Sequence, residues 1–386
     1  MSRKPQREFL FDVSRLIWRS WRGRPATGID RVCLAYLEHF GAQSQLVVQR
    51  RGRIKILSAD ASDRLATVLA TGAGAIRLDL IGALVPALLT ASRTPPRPKM
   101  LYLNVGHTGL DDAALPDWIA VNAVRAIYMI HDLIPLTHPQ FCRAGEEAKH
   151  ERRIMNALSS ARGLILNSHD TLDALNRFAA SRGVTVPNAL IAWLGISKAA
   201  RPAAATSERP YFVVVGTIEG RKNHLLLLRA WERLVDAMGA GTPELAIIGG
   251  RGWEADEVFS RLDHPGRLAG HVREVSGCSD GELITLVAGA RALLMPSFVE
   301  GYGLPVLEAL QLGTPVLASD LPIFREIAGD LPTYLDPQDP AAWADTVRDF
   351  LGETTERRRQ LSAMTSFEAT TWEQHFRAVD QWLGTH

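Results

Sequence analysis

The chain has 386 residues, of which 46% are hydrophobic and 22% charged, and its formal net charge at pH 7 is +1. This length predicts two domains, and the composition is that of a folded globular protein. The balanced charge excludes a global attraction to nucleic acid, and three widely spaced cysteines exclude a disulfide framework or a zinc site. The sequence opens without an apolar signal core, and no apolar run is long enough to span a bilayer. We therefore expect a cytoplasmic protein.

The N-terminal region predicts a strand followed by a basic loop. Residues 8–16, EFLFDVSRL, have the pattern of a buried strand, and the following loop carries Trp18 and Arg22 and ends at Gly28, before an apolar helix. Backbone N–H groups at such a helix start suit an anion. Residues 1–31 carry eight basic side chains against three acidic ones. This loop is either a solvated segment with packed tryptophans or a surface for a phosphorylated or membrane-borne acceptor.

The rest of the first half alternates apolar strands with helices. SQLVVQRRGRIKIL predicts a hairpin, KMLYLNVGH a strand that ends near His107, and AIYMIHDLIPLTHP a strand that ends at His131. Continuous apolar strands between helices indicate a parallel sheet with both faces covered. His131 then lies at the carboxyl end of a strand, where it is either structural or faces a ligand crevice.

An Ala-, Ser- and Pro-rich segment at residues 197–209 predicts a linker, after which the pattern restarts. YFVVVG predicts a strand, and the next loop carries Arg221 and Lys222 after Gly216. Adjacent basic residues in such a loop either clamp a diphosphate or are simply solvated. Further along, GRLAGHVREV predicts a short strand and a loop.

Residues 296–320, PSFVEGYGLPVLEALQLGTPVLASD, predict the end of a strand, a glycine loop, a helix and a second strand. Two carboxylates lie near the carboxyl end of the first strand, Glu300 in the loop and Glu308 about one turn into the helix. Ligands of open α/β sheets bind at this position, beyond the carboxyl ends of the strands. A structural turn with an acid that complements the helix dipole is the alternative.

Several common signatures are missing from the sequence. It contains no Asp-x-Asp pair, no phosphate loop with Gly-Lys-Ser/Thr, no Gly-x-Ser-x-Gly elbow and no GxGxxG fingerprint. We therefore expect neither a metal site nor a cofactor, and we disfavour a dehydrogenase.

Taken together, these motifs resemble those of the retaining glycosyltransferases of family 4, which have the GT-B fold of two facing Rossmann-like domains. The resemblance covers most of the chain and is strongest over residues 211–330. It rests on five segments in the family's order: TGIDRV, YMIHDLIP, VVVGTIEGRKNHLLLL, EGYGLPVLEA and GTPVLASDLPIFREIAG. It implies an α/β protein with an N-terminal domain at 1–196, to which helix 371–386 returns, and a nucleotide-sugar domain at 210–370.

The resemblance also implies roles for residues in the second half. Glu308 would bind the ribose hydroxyls, and Glu300 the hydroxyls of the donor sugar. Arg221 and Lys222 would neutralise the leaving diphosphate. The other positions implied to contact the donor are Gly216, Thr217, Val272, Arg273 and the N–H groups of Tyr302, Gly303 and Leu304. Thr217 departs from the pattern, since many relatives have an arginine there, and Val272 and Arg273 are expected in a loop near the nucleobase.

In the first half, the resemblance implies that His131 lies beside the anomeric centre and Gly28 close to the phosphates. Trp18, Arg22 and His107 are candidates for acceptor contacts. The implied reaction is metal-independent retaining transfer of a hexose, with mannose favoured, from a nucleotide-sugar to a glycan or polyprenyl-linked acceptor. Peripheral contact with the inner face of the membrane is a further expectation. The alternatives are an epimerase or phosphorylase on the same fold and a non-catalytic sugar-nucleotide-binding protein.

Overall fold

The computed structural model describes residues 7–22, 28–71, 77–89, 91, 96–197, 202 and 209–385. The chain divides into two compact units. Unit 1 comprises Met1–Leu136, Gly145–Leu194 and Trp372–His386, and unit 2 comprises Thr137–Ala144 and Gly195–Thr371. Most of the predicted linker, residues 198–201 and 203–208, lies outside the described residues.

Unit 1 is built on a seven-stranded sheet of order β3-β2-β1-β4-β5-β6-β7. The strands are β1 Phe9–Asp12, β2 Ser44–Arg50, β3 Arg53–Ile56, β4 Leu101–Asn104, β5 Arg125–Ile130, β6 Ala161–Leu166 and β7 Ala189–Ile191. All neighbours pair in parallel except β2 and β3, which form the predicted antiparallel hairpin. The helices are α1 Ser14–Trp21, α2 Gly28–Phe40, α3 Ala59–Ala70, α4 Arg77–Leu89, α5 Ala114–Val121, α6 Ile134–Thr137, α7 Glu146–Ser160, α8 His169–Ser181 and, much later in the chain, α16 Trp372–Leu383.

Unit 2 has a six-stranded parallel sheet of order β10-β9-β8-β11-β12-β13. Its strands are β8 Tyr211–Val215, β9 Glu244–Ile248, β10 Val272–Val275, β11 Leu293–Met295, β12 Val316–Ser319 and β13 Thr333–Leu335. The helices are α9 His224–Met238, α10 Asp256–Asp263, α11 Asp280–Gly289, α12 Leu304–Gln311, α13 Pro322–Ala328, α14 Pro340–Asp349 and α15 Thr355–Ala363.

Each unit has its own apolar core between sheet and helices. In unit 2 the core includes Phe212 of β8, Trp231 of α9 and Trp343 of α14, all fully buried. In unit 1 it includes Tyr102, Tyr128 and Leu164 of three neighbouring strands. Continuous burial along the strands agrees with helices on both faces of each sheet. The prediction of two α/β domains with parallel sheets is confirmed.

The first predicted strand, residues 8–16, is wrong in its second half. β1 ends at Asp12, and α1 begins at Ser14, so that Trp18 lies on a helix instead of in a loop. The Asp12 carboxylate accepts a hydrogen bond of 2.9 Å from the Ser14 N–H, which turns the chain out of the strand. Leu16 and Ile17 are buried on the inner face of this helix.

Candidate active site

The candidate site lies where the strand order of the unit 2 sheet reverses. Counted along unit 2, the strands are arranged 3-2-1-4-5-6, the order of dinucleotide-binding folds, which bind their ligands beyond the carboxyl ends of strands 1 and 4. These two strands are β8 and β11. The loop at residues 216–223 follows β8, and the loop at residues 296–303 follows β11.

The two loops are joined to each other by backbone and side-chain hydrogen bonds. The Phe298 N–H donates to the Arg221 carbonyl at 2.8 Å, and the Asn223 amide donates to the Pro296 carbonyl at 3.1 Å. Asn223 has a left-handed backbone, with φ of 54°, which turns the chain from the one-turn helix Gly220–Lys222 into α9. The basic residues of one loop are thereby held against the acid of the other.

Glu300 is buried between two cations. Its Oε2 lies 2.8 Å from Arg221 Nη1, while its Oε1 accepts hydrogen bonds from Lys222 Nζ at 2.5 Å and from Ser297 Oγ at 2.7 Å. Burial alone would raise the pKa of Glu300, but the charges of Arg221 and Lys222 and the two hydrogen bonds outweigh it and lower the pKa to about 2. The carboxylate is therefore ionised at neutral pH.

A second carboxylate, Glu219, lies on the other side of Arg221. Its Oε1 is 2.7 Å from Arg221 Nη2, and the side chain is 4% exposed. Burial raises the pKa of Glu219, although Arg221 and Lys222 oppose the shift. Burial likewise lowers the pKa of Lys222, against the attraction of Glu300. These four side chains form two cation–carboxylate pairs with no net charge when all are ionised.

The helix after Glu300 starts on a glycine that the fold requires. Gly303 is the N-cap of α12, with φ of 107°, and a Cβ there would lie 2.7 Å from Phe324. Leu304 and Pro305 open the helix, as predicted, so its first N–H groups lie at the mouth of the loop together with Tyr302. Glu308 is half-buried on α12, one turn further on.

Gly216 and Thr217 lie in the loop at the end of β8. Gly216 has φ of 139°, and a Cβ there would lie 3.4 Å from the Lys222 Cε, so the lysine stem packs over this glycine. Thr217 is half-buried. Both residues are therefore in the same loop as the charged cluster, as the sequence indicates.

The expected loop position of Val272 and Arg273 is wrong. Both belong to β10, and they pair with Leu245 and Ala246 near the start of β9. Arg273 forms an ion pair with Glu244, the first residue of β9. They therefore lie at the amino end of the strand, and the loop at the carboxyl edge consists instead of residues 276–279. Glycines flank β10 on both sides, Gly270 before it and Gly277 after it. The sequence interpretation placed the loop after Gly270, whereas the loop at the carboxyl edge contains Gly277.

In unit 1, His131 follows β5 directly and is buried. Its Nε2 lies 2.8 Å from the Val105 carbonyl, and its own carbonyl accepts a hydrogen bond of 2.8 Å from Asn167. Burial lowers the pKa of His131 to about 4, against the opposing effect of the Val105 hydrogen bond. The imidazole is therefore neutral at pH 7, with Nε2–H as the donor and Nδ1 as the acceptor.

His107 packs beside His131, with ring centroids 5.0 Å apart. It follows β4 in a left-handed conformation, and its Nε2 bonds to the Met129 carbonyl at 2.8 Å. Burial also holds the pKa of His107 well below its usual value. Because this ring is buried and bonded to the backbone, the structure gives no support to a direct acceptor contact at His107.

The other predicted residues of unit 1 lie around the start of α2. Gly28 is its exposed first residue, while the preceding Thr27 lies outside the described residues. Arg22 is exposed at the end of α1, and Trp18 is half-buried beneath the Arg50 guanidinium, 5.0 Å from the ring centroid. Two other arginines of this region, Arg15 and Arg19, are bound by the buried Asp30 at 2.6 and 2.8 Å. Asp30 therefore compensates part of the positive charge on α1.

Sequence reasoning missed two residues of the charged cluster, Glu219 and Ser297. Both stand in segments whose sequence indicates a ligand-binding loop, two residues before Arg221 and three before Glu300. Glu219 could have been found from the sequence, because it is an acidic residue close to the two basic residues expected to bind a diphosphate. Within the described residues, no group of three or more His, Cys, Asp or Glu side chains is placed to hold a metal ion.

Comparison with known proteins matches the stretch of the chain that contains both loops. Residues 197–365 match the family model "Glycosyl transferases group 1", and this stretch contains both loops of the charged cluster. The chain is similar to the serotype-specific mannosyltransferase WbdA of Escherichia coli, with 31% identity over 248 residues, which are 58% of this chain and 30% of WbdA. It is also similar to the O-antigen chain mannosyltransferase B of Escherichia coli, with 32% identity over 230 residues, covering 56% of this chain and 58% of that protein.

Residues 197–365 therefore form a glycosyltransferase group 1 domain, while the chain spans less than two thirds of either relative. The structure of Anabaena HepE in complex with UDP and glucose aligns over 99% of this chain and 100% of that chain, with a TM-score of 0.68 and 13% identity. The sucrose-phosphate synthase of Thermosynechococcus elongatus aligns over 98% and 99%, with a TM-score of 0.63 and 16% identity. These likenesses show the fold, which is GT-B as predicted.

Proposed function

We propose that the chain is a retaining glycosyltransferase of the family 4 type, which transfers a hexose from a nucleoside-diphosphate donor to a glycan or lipid-linked glycan acceptor without a metal ion. The observation that carries this proposal is the buried contact of Glu300 with Arg221 and Lys222 at the switch point of the unit 2 sheet. Transfer from such a donor requires stabilisation of the charge that develops on the leaving diphosphate, and preorganised cations supply it.

In this proposal, Glu219 and Glu300 hold the cations in place before the donor binds. Arg221 binds both carboxylates, at 2.7 and 2.8 Å, so its charge is held in place in the loop at the switch point of the sheet. The N–H groups at the start of α12 add the positive end of a helix dipole. Glu308, farther along α12, binds the ribose hydroxyls.

The neutral state of His131 limits what it does in the reaction. With Nε2–H donating to the Val105 carbonyl, Nδ1 is an acceptor, so this histidine accepts a hydrogen bond from a sugar hydroxyl and orients the donor. It is a weak general base at pH 7, because a pKa of about 4 means that the neutral ring has little affinity for a proton. We therefore assign the removal of the acceptor proton to the leaving diphosphate, in a front-face transfer.

The names of the relatives guide the choice of substrates. WbdA and mannosyltransferase B are mannosyltransferases, the latter of an O-antigen chain, so we favour GDP-mannose as donor and a mannose-containing surface polysaccharide as acceptor. HepE was crystallised with UDP and glucose, so a UDP-sugar is the second donor to test. The loop at residues 276–279 replaces Val272 and Arg273 as the candidate for contact with the base.

Helix α4 supports the proposal of a membrane-borne acceptor. It carries a stripe of exposed apolar side chains at helical spacing, namely Leu78, Ile81, Val85 and Leu89, of which Leu78 and Leu89 are 73% and 82% exposed. Lys55 of β3 donates to the Leu88 carbonyl at 3.1 Å, which places the basic β2–β3 hairpin beside this stripe. Apolar and basic residues together suit the surface of an anionic bilayer. No helix among the described residues is long and apolar enough to cross a membrane.

A ligand panel followed by product analysis tests the proposed function. We expect GDP-mannose, or another nucleotide-sugar in the panel, to raise the melting temperature, because a ligand that binds only the folded state stabilises it. That donor should yield a glycosylated product only when a glycan acceptor is present. Conversion of the donor alone to an epimer, or binding without any turnover, would contradict the proposal.

A further inference from the structure

A cavity of about 610 Å³ lies in unit 2, on the side of the 216–223 loop where Glu219 is found. It is bounded by the start of α9, the start of α10 and the segment Pro337–Pro340 before α14. Its volume falls within the range of small-molecule sites, about 300–1,000 Å³. None of the residues predicted from the sequence to bind the donor lines it.

The first residue of α9, His224, lines this cavity and is 1% exposed. Within the described part of the chain, neither Nδ1 nor Nε2 of His224 has a hydrogen-bond partner. Burial, reinforced by the charge of Lys222, lowers the pKa of His224 to about 3, so the ring is neutral at pH 7 and has one donor and one acceptor nitrogen. Buried polar groups are ordinarily hydrogen-bonded. The two ring nitrogens therefore suit a ligand that both accepts and donates hydrogen bonds.

The start of α9 adds donors at the same place. Asn223 is the N-cap, but its side chain does not cap the helix, because its amide donates to the Pro296 and Pro337 carbonyls at 3.1 and 2.8 Å. The first N–H groups of a helix have no acceptor within the helix. The cavity wall therefore offers N–H donors as well as the imidazole of His224.

The charge of the lining excludes an anionic ligand. Glu219, Glu254, Asp256 and Glu257 line the cavity, and Arg229 is the one basic side chain among its lining residues. Arg229 lies 3.5 Å from Glu257, so its charge is compensated. Phosphate groups would meet an excess of carboxylates, whereas hydroxyl groups can donate to them. Phe298 and Pro337 contribute apolar surface to the lining.

We propose that this cavity is a binding site for a neutral hexose or short hexose oligosaccharide, distinct from the proposed site of the nucleotide-sugar donor. The hydroxyls of a pyranose both donate and accept hydrogen bonds. They can therefore accept from the helix N–H groups, donate to the carboxylates, and do both with the two nitrogens of His224. Its C–H faces fit Phe298 and Pro337. The inference goes beyond the proposed transfer reaction and does not depend on it, because a sugar can bind here whether or not the chain turns over a nucleotide-sugar.

The cavity shares a wall with the charged cluster. Glu219 lines the cavity and also binds Arg221, while the Phe298 N–H donates to the Arg221 carbonyl. The loop cannot easily rearrange here, because Gly220 packs so closely that a Cβ would lie 2.7 Å from the Glu254 carbonyl oxygen. A bound sugar is therefore expected to alter transfer kinetics without competing with the nucleotide.

The site is tested by titrating the full chain with methyl α-mannoside and with mannotriose. Calorimetry and saturation-transfer NMR measure the binding. We expect each sugar to bind saturably while a nucleoside diphosphate occupies the proposed donor site. Inorganic phosphate should not bind in the cavity. His224→Phe keeps an aromatic ring of similar size but removes both nitrogens, and it should weaken sugar binding by about tenfold or more. His264→Phe, at an exposed position after α10, is the matched control and should bind the sugar like the wild type.

A second variant covers the case in which His224→Phe is poorly folded. Glu254→Gln/Glu257→Gln changes two exposed lining residues and should weaken sugar binding while leaving the melting temperature nearly unchanged. The proposal is overturned if the wild type binds neither sugar up to concentrations on the order of tens of millimolar. It is also overturned if each sugar binds to the folded variants as tightly as it binds to the wild type. In either event, binding and turnover of a nucleotide-sugar would leave the proposed function standing.

Discussion

Arg221 Nη1 lies 2.8 Å from Glu300 Oε2, a contact between residues 79 positions apart that joins the loops after β8 and β11. The same guanidinium binds Glu219 at 2.7 Å, so one arginine bridges two buried carboxylates. Such an arrangement is costly to bury and is retained where it serves a function or fixes a geometry.

Lys222→Ala should strongly reduce transfer while the chain remains folded. The lysine is buried against Glu300 and over Gly216, in the loop where we propose that the diphosphate binds. Loss of one preorganised cation that stabilises a transition state reduces kcat by about 100- to 1,000-fold. Steady-state kinetics with the preferred donor measure the effect. Lys149→Ala, at a half-exposed helix position that pairs with Glu146, is the control and should keep wild-type activity.

Glu308→Ala should weaken nucleotide binding more than it changes kcat. A carboxylate that accepts hydrogen bonds from ribose hydroxyls contributes to ground-state and transition-state binding alike, so we expect about a tenfold rise in the dissociation constant of the nucleoside diphosphate. Calorimetry of the nucleotide measures it. Gln311→Ala changes the same helix one turn later and should bind like the wild type. Equal affinities in all three proteins would contradict the ribose contact.

The buried histidines predict that stability falls as the solution is acidified. The pKa of His375 is lowered to about 4, chiefly by burial, whereas an unfolded histidine titrates near 6.5. Between pH 6.5 and 4 the unfolded state therefore binds more protons, and the free energy of unfolding decreases as the pH falls. Each such histidine contributes about 1.4 kcal/mol per pH unit within this window. His131 and His224 act in the same direction.

Urea unfolding from pH 7 to pH 4 measures this dependence. His375→Gln removes one of the titrating groups, so its free energy of unfolding should be lower at pH 7 but should decrease less steeply with acidification. The wild-type ring bonds to Tyr36 and to the Trp193 carbonyl, which explains the lower starting value. A pH slope identical to that of the wild type would show that His375 is not buried in its neutral form.

The apolar stripe on α4 predicts binding to anionic vesicles. Leu78→Gln/Leu89→Gln should reduce co-sedimentation with phosphatidylglycerol vesicles, and the wild type should bind phosphatidylcholine vesicles more weakly, because the basic hairpin contributes attraction. Val121→Gln is a suitable control, since Val121 is 84% exposed on α5, away from the stripe. A concentration-dependent dimer that is lost in the double variant, without vesicle binding by the wild type, would show instead that the stripe contacts a second copy of the chain.

The sequence predicts the strands and the site loops of unit 2 better than it predicts residue partners. Apolar runs bounded by glycines placed β8, β11 and α12 correctly, since local signals such as Pro305 and Gly313 mark the ends of that helix. The pairing of Glu219 with Arg221, by contrast, depends on how a short loop folds. The spacing of the residues alone could not predict it.

Two errors have the same physical origin. In both cases local signals do not mark the limits of the strand, because residues 8–16 run on from β1 into α1 and glycines flank β10 on both sides. In the first case the boundary is set by a hydrogen bond from Ser14 to the buried Asp12. In the second it is set by parallel pairing of β10 with β9, a contact across about thirty residues of sequence that no local pattern reports.

The comparison of Glu300→Gln with the wild type tests the central claim most directly. Glutamine keeps the size of the side chain but removes the charge that holds Arg221 and Lys222, so we predict at least a 100-fold loss of hexose transfer from the preferred donor. Glu373→Gln, on the exposed face of α16, is the control and should retain full activity. Melting curves of all three proteins establish that they are folded. Full transfer activity in a folded Glu300→Gln protein would contradict the account.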